Sequence, residues 1–218
     1  MRRARRALLL PILLAGCIST RSEVTPSFGA ARPNLGAGSV TVLIVLRNYT
    51  QQHDFDTIPK MQSYEVKDFT DVLRDSLKEI SNISRYDTWS EMPGDVSSPD
   101  RKSALAAARA GHDYSLDIEF LEETSFPQQF LMGAISVASG TLVPVPYDWD
   151  YTISTVVTRR DGTRVAQYQR KATLSQWVQA CLVVAYPFYP FEGKREEIYS
   201  QSLHDTFRQL ESEQVLKP

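Results

Sequence analysis

Asp148 and Asp150 stand on either side of Trp149, so that in a strand the two carboxylates point the same way. Two nearby carboxylates can divide acid and base work between them, and an aromatic ring beside them suits a sugar. One reading of these residues is therefore a site that binds or hydrolyses peptidoglycan. A second acidic run, Asp117, Glu119, Glu122 and Glu123, is spread over both faces of its strand, with Asp117 and Glu119 on one and Glu122 on the other. It reads as the wet side of a strand. His53-Asp54-Phe55-Asp56 lacks the alternating oxygen ligands and the glycine of a calcium loop, and reads as a solvated loop. His53, His112 and His204 have no partner at metal-ligand spacing, and no cysteine pair is spaced for zinc. There is no phosphate-cradling glycine loop and no Gly-x-Ser-x-Gly elbow. The expectation is no catalytic residue, no cofactor and no metal.

The two cysteines differ in setting. Cys181 lies in Trp-Val-Gln-Ala-Cys-Leu-Val-Val-Ala, without the electropositive neighbours that activate a thiol, and reads as buried structure. Cys17 closes a different pattern. Arg2, Arg3, Arg5 and Arg6 precede a short apolar run, Ala7 to Leu14, which ends in Leu14-Ala15-Gly16-Cys17. A basic head, an apolar middle and small residues at the end make residues 1–16 a signal peptide. The apolar middle falls far short of the ~20 residues of a spanning helix.

Leu-Ala-Gly-Cys resembles the lipobox of bacterial lipoproteins. The resemblance implies cleavage before Cys17 and acylation of its sulfur (palmitate among the chains), which fastens the protein to a membrane. Ile18 and Ser19 follow, where an aspartate would signal inner-membrane retention. The implied place is the outer membrane, facing the periplasm. Several acyl chains make such an anchor effectively permanent. Removal of the four arginines makes a chain of formal net charge −2 more acidic still, and no basic cluster remains for a nucleic acid.

Residues 17–38 are rich in Ser, Thr, Pro, Gly and Ala and read as a flexible tether, of root-mean-square span ~25 Å. Residues 39–218 have the length of a single globular domain. Ser39 to Arg47 is apolar on both faces, as in a central strand covered on two sides. Val66, Phe69, Leu73, Leu77 and Ile80 predict a helix over about Tyr64–Ile83. Arg85 to Ser90 predicts a short strand, and Ser98-Pro99-Asp100 opens a second helix that stops at Gly111. An alternating strand follows at Tyr114–Phe120. Strands over about 149–159 and 164–174 flank an Asp161-Gly162 turn. Tyr199, Leu203, Phe207 and Leu210 mark the buried side of a closing helix, about Lys194–Gln214. The fold class is α/β (α+β): a single mixed sheet of about five strands with helices packed on it, in the order β-α-β-α-β-β-β-α.

Residues 40–122 carry a further resemblance. A Val-Thr-Val-Leu-Ile-Val-Leu strand, a long helix, a short strand and then Ala108-Arg109-Ala110-Gly111-His112-Asp113-Tyr114 are similar to periplasmic α/β domains of the TolB amino-terminal, LpoB and CsgG type. His112 stands where those have a small residue, and Asp117 where a glycine is common. The resemblance implies the fold class, and proteins that bind partners or build export pores.

Two segments lack Asp, Glu, Lys, Arg and His altogether: Thr124–Tyr147 and Ala172–Phe191. They sit at the two ends of the Asp-Gly hairpin. Three readings stay open: buried core, a surface dipping into lipid, or a protein-binding patch, with a homo-oligomer one form of the last. The contact residues under either exposed reading are Phe130, Met132, Trp177, Tyr186, Phe188 and Tyr189. The expected function is a non-enzymatic outer-membrane lipoprotein, an accessory or scaffold to an envelope assembly or transport machine acting through an apolar surface. The alternative is the cell-wall site at Asp148, Trp149 and Asp150.

Overall fold

A computed structural model describes residues 16–30, 33, 38–63, 69–179, 182 and 190–217. Its strands are β1 (Gly16–Arg21), β2 (Val40–His53), β3 (Lys60–Met61), β4 (Ile83–Ser90), β5 (Tyr114–Ser125), β6 (Val145–Arg159) and β7 (Arg164–Gln179). Its helices are α1 (Phe69–Ser76, continued by a 3-10 turn), α2 (Pro99–Ala110), α3 (Phe126–Ala138) and α4 (Phe191–Ser212). The strands form one open mixed sheet in the order β1-β7-β6-β5-β2, and β3 and β4 share the outer edge of β2. β4, β2 and β5 run parallel, joined by helical crossovers; β5, β6, β7 and β1 are antiparallel neighbours. The expected α/β class and single mixed sheet are therefore found. The sheet is wider than the five strands expected, by β1 and β3.

Alternation along the strands decides which helix covers what. Val42, Ile44, Leu116, Ile118, Ile153 and Leu174 turn to one face, where Leu203, Phe207 and Leu210 of α4 and Leu73 of α1 close over them. Leu43 and Val45 are buried on the opposite face, so β2 is covered on both sides as its composition requires. There α2 approaches: Arg101 lies over the Trp89 ring, and Arg109 reaches Asp117. Ser98 caps α2 by accepting from the Arg101 amide, with Pro99 behind it. Gly111 ends this helix in right-handed geometry at φ −79, its amide still bonded to the last turn. Gly162, at φ +85, takes the left-handed place that the Asp161-Gly162 hairpin needs.

Three expectations change. Asp117 is not on a wet face: it is buried, held between Arg47 and Arg109, because α2 covers that part of β5. β2 runs on to His53, since the polar residues from Asn48 onward pair with Phe120–Ser125 of the long β5. The stretch read as a tether begins as a strand. Gly16–Arg21 pairs with Leu174–Gln179, Thr25 bridges Lys171, and Val24 is fully buried in the core. An edge as long as β7 offers unpaired backbone groups that a neighbouring segment satisfies. Of the segment expected as a helix over Tyr64–Ile83, residues 64–68 lie outside the described residues.

Candidate functional site

Strand register gathers the chain's apolar, uncharged residues at one end of the sheet. Cys17 lies opposite Val178, and Val178 opposite Val145, so the start of β1, the end of β7 and the start of β6 lie side by side. His53 and Ser125 end β2 and β5 in the same direction. From Ser125 the chain turns directly into α3. The Ser125 hydroxyl accepts from the Gln128 amide, and Pro127 occupies the first turn. After α3, the Leu142 carbonyl accepts from Gln179 Nε2 at 3.2 Å, which brings Leu142 beside the edge that carries Cys17. The β2–β3 loop adds Phe55, whose ring lies 5.9 Å from Phe126; Phe126 stacks in turn on Phe130 at 6.3 Å.

α3 is amphipathic the wrong way round for water. Its polar residues turn toward the protein: Gln128 donates to Asp148 Oδ2 at 2.7 Å, and Ser136 is buried. Its apolar residues turn out, with Phe130 70% and Val137 82% exposed and Phe126, Leu131 and Ile135 also exposed. Leu142, Val143 and Phe55 extend this apolar surface, and Ile58 is exposed in the same loop as Phe55. A surface helix normally points its apolar stripe at the core, and a contiguous exposed apolar patch marks a contact surface.

The contact residues expected from sequence fall unevenly on this end. Phe130 is at its centre. Met132 is half-buried on the inner side of α3. Trp177 is half-buried in β7, opposite Ile18 of β1 and Pro146 of β6. Tyr186, Phe188 and Tyr189 lie outside the described residues, as does Cys181. The second apolar segment starts as core, with Ala172 and Leu174 buried. Phe55, Ile58, Val137 and Leu142 were not expected. Phe55 and Ile58 are isolated apolar residues in a polar loop, and only the contact of Phe55 with Phe126 ties that loop to α3.

The strand separates the residues of the cell-wall reading. Asp148 and Asp150 share the α2 face, where Asp148 accepts from Gln128 and Ser175 and Asp150 from Thr173. Trp149 points to the other face and packs edge-on against Phe191, with centroids 4.8 Å apart. Period-two alternation separates the ring from both carboxylates. Acids at the neighbouring β2–β3 end have partners too. His53 Nε2 lies 2.9 Å from Glu123, and Asp56 pairs with Lys60 and accepts from the Gln52 amide. Among the described residues no group of three or more His, Cys, Asp or Glu side chains could hold a metal ion. Burial also pushes the Cys17 thiol up, the opposite of what activates a nucleophile.

Glu122 is an acid whose setting disfavours its charge. It lines a hollow of about 380 Å³ with Trp149, Gln52 and Gln129, and burial raises its carboxyl above the ordinary value of 4.5. A raised carboxyl destabilises the fold as pH rises through the folded-state value, and costs nothing below the unfolded-state value. Glu122→Gln is therefore expected to raise the urea midpoint at pH 7. The gain should shrink on acidification and vanish once both carboxyl forms are protonated. A midpoint at pH 7 equal to or below that of the parent protein would refute this account.

No protein-family model matches the chain, and no curated protein matches it. Among solved structures, the chain is similar to the PelC dodecamer from Paraburkholderia phytofirmans at 11% identity and a TM-score of 0.31, over 86% of this chain and 97% of that one. A methionine variant of the same dodecamer gives 11% identity and a TM-score of 0.26, over 84% and 97%.

Proposed function

We propose that this chain is a non-enzymatic lipoprotein of the bacterial outer membrane. Acyl chains on Cys17 hold it facing the periplasm, and it serves an envelope assembly or transport machine as an accessory or scaffold. The observation that carries this reading is a coincidence of place. The cysteine that closes the Leu-Ala-Gly-Cys motif and the outward apolar face of α3 occupy the same end of one sheet. Strand pairing and helix packing build that end from four separate stretches of chain. A protein working by contact, with its contact surface beside its anchor, fits this arrangement.

The anchor is tested by Cys17→Ser in intact bacteria fed radiolabelled palmitate. The parent protein should take the label and sediment with the outer membrane. The variant should carry no label. A parent protein that takes no label, with a variant that still sediments uncut, would overturn the reading.

A further inference from the structure

We infer that α3 lies flat in the interfacial layer of the membrane to which Cys17 is fastened, with Phe126, Phe130, Leu131, Ile135 and Val137 in the lipid and its glutamines against the protein. This rests on the acylated cysteine proposed above and names what the apolar end touches. The first argument is position. Acyl chains on Cys17 must enter the bilayer where β1 begins. Cys17 is held there by pairing with Val178 of β7, and Leu142 is tied to Gln179 in the same strand. The apolar end is thus brought to the headgroups by the anchor itself, and any other occupant has to displace lipid.

The second argument is the form of the helix. α3 has 13 residues and no charged side chain. At ~1.5 Å per residue it is roughly 20 Å long, too short to cross a hydrocarbon layer of about 30 Å. A short helix with apolar residues outward and polar residues held by the protein is suited to lie in the plane of the interface. The third argument is depth. Phe55 extends the surface at one end of α3, but Asp54 and the Asp56–Lys60 ion pair flank it. Those charges hold the β2–β3 loop at headgroup level while α3 sits lower.

The test uses the mature chain, residues 17–218, carrying Cys17→Ser, so that neither an acyl chain nor the basic signal peptide contributes, and flotation with vesicles of phosphatidylethanolamine and phosphatidylglycerol. The protein should float with the vesicles. Adding Phe130→Asp and Leu131→Asp should reduce the vesicle-bound to free ratio at least tenfold. It should leave the melting temperature unchanged, because both side chains are exposed. Phe130→Trp should show a blue-shifted emission increment on vesicle addition that brominated lipids quench. Two results would overturn the inference. One is a Cys17→Ser protein that ignores vesicles. The other is concentration-dependent self-association that the same two aspartates abolish, which would make a second copy the occupant. Palmitate labelling of the otherwise unaltered chain reads the anchor independently: label without vesicle binding by the Cys17→Ser form removes this inference alone, and vesicle binding without label removes the anchor alone.

Discussion

Phe120→Ala is expected to lower the stability of this protein by about 3–5 kcal/mol, the cost of emptying a filled aromatic site in a core. The site is central for a geometric reason. Phe120 lies on β5, between Asn48 of β2 and Ile153 of β6, where the parallel and antiparallel halves of the sheet meet. Its ring meets Phe69 of α1 edge-on at 5.4 Å and Tyr199 of α4 at 4.9 Å, and Tyr199 continues to Tyr151 of β6. One side chain therefore joins both helices of the α4 face to the middle of the sheet. Each edge-on pair adds about 0.5–1.5 kcal/mol beyond its buried area. For a chain of this length, melting should fall by about 10 °C, from ~2–4 °C per kcal/mol. Phe120→Leu refills most of the volume and should cost under about 1.5 kcal/mol. Urea denaturation of the two variants measures this. A Phe120→Ala loss below about 1 kcal/mol would show that α1 and α4 are held by something other than this cluster.

Much of the architecture is legible in the sequence because it is local. Val42 and Ile44 against Leu43 and Val45 announce a strand covered on two faces. Ser98-Pro99 starts a helix, Asp161-Gly162 turns a hairpin, and Leu203, Phe207 and Leu210 mark a helix stripe. Each signal is complete within a few residues. α3 is legible only in part. Ser125 and Pro127 repeat the start signal of α2, but the helix that follows shows an apolar side without a polar side facing water. The segment's lack of charge singles it out, while its orientation depends on Asp148, a partner on another strand that holds Gln128 inward. The cell-wall alternative rests on the opposite kind of signal. Adjacency in sequence brings Trp149 to Asp148 and Asp150, and the strand then sends ring and carboxylates to opposite faces. β1 is the least legible element. Gly-Cys-Ile-Ser-Thr-Arg has no strong pattern of its own, and its pairing comes entirely from the unpaired edge of β7 more than 150 residues away.

That non-local origin makes β1 the place where a single change should have the most selective effect. Val24→Asp puts a carboxylate at a position with no solvent exposure, just after the strand ends. Losing a fully buried valine removes about 1.5–3 kcal/mol, and an unpaired acid in an apolar site costs more again. The cheapest response is for the segment to leave the sheet, because β1 is an edge strand whose ladder joins it to β7 alone. The Ser22 amide donates to the Thr173 carbonyl, Thr25 and Lys171 exchange bonds, and Arg21 reaches Glu197 and Gln201. Hydrogen exchange should show this as loss of protection at Ser22, Thr25 and Lys171, with Ile44 and Ile118 in the central strands still protected. The consequence lies at Cys17. In the folded sheet its position is set by pairing with Val178. Once residues 17–25 come free, the cysteine gains roughly 15–20 Å of play, from about 5–6 Å per root residue. Acylation should continue, since it depends on the motif, but α3 should no longer be pressed to the headgroups. Acylated Val24→Asp protein should therefore stay in the membrane fraction, and a fluorophore placed on α3 should show weaker quenching by brominated lipids. Unchanged protection at Ser22 and Thr25 would mean that β1 is held by more than Val24 and these bonds.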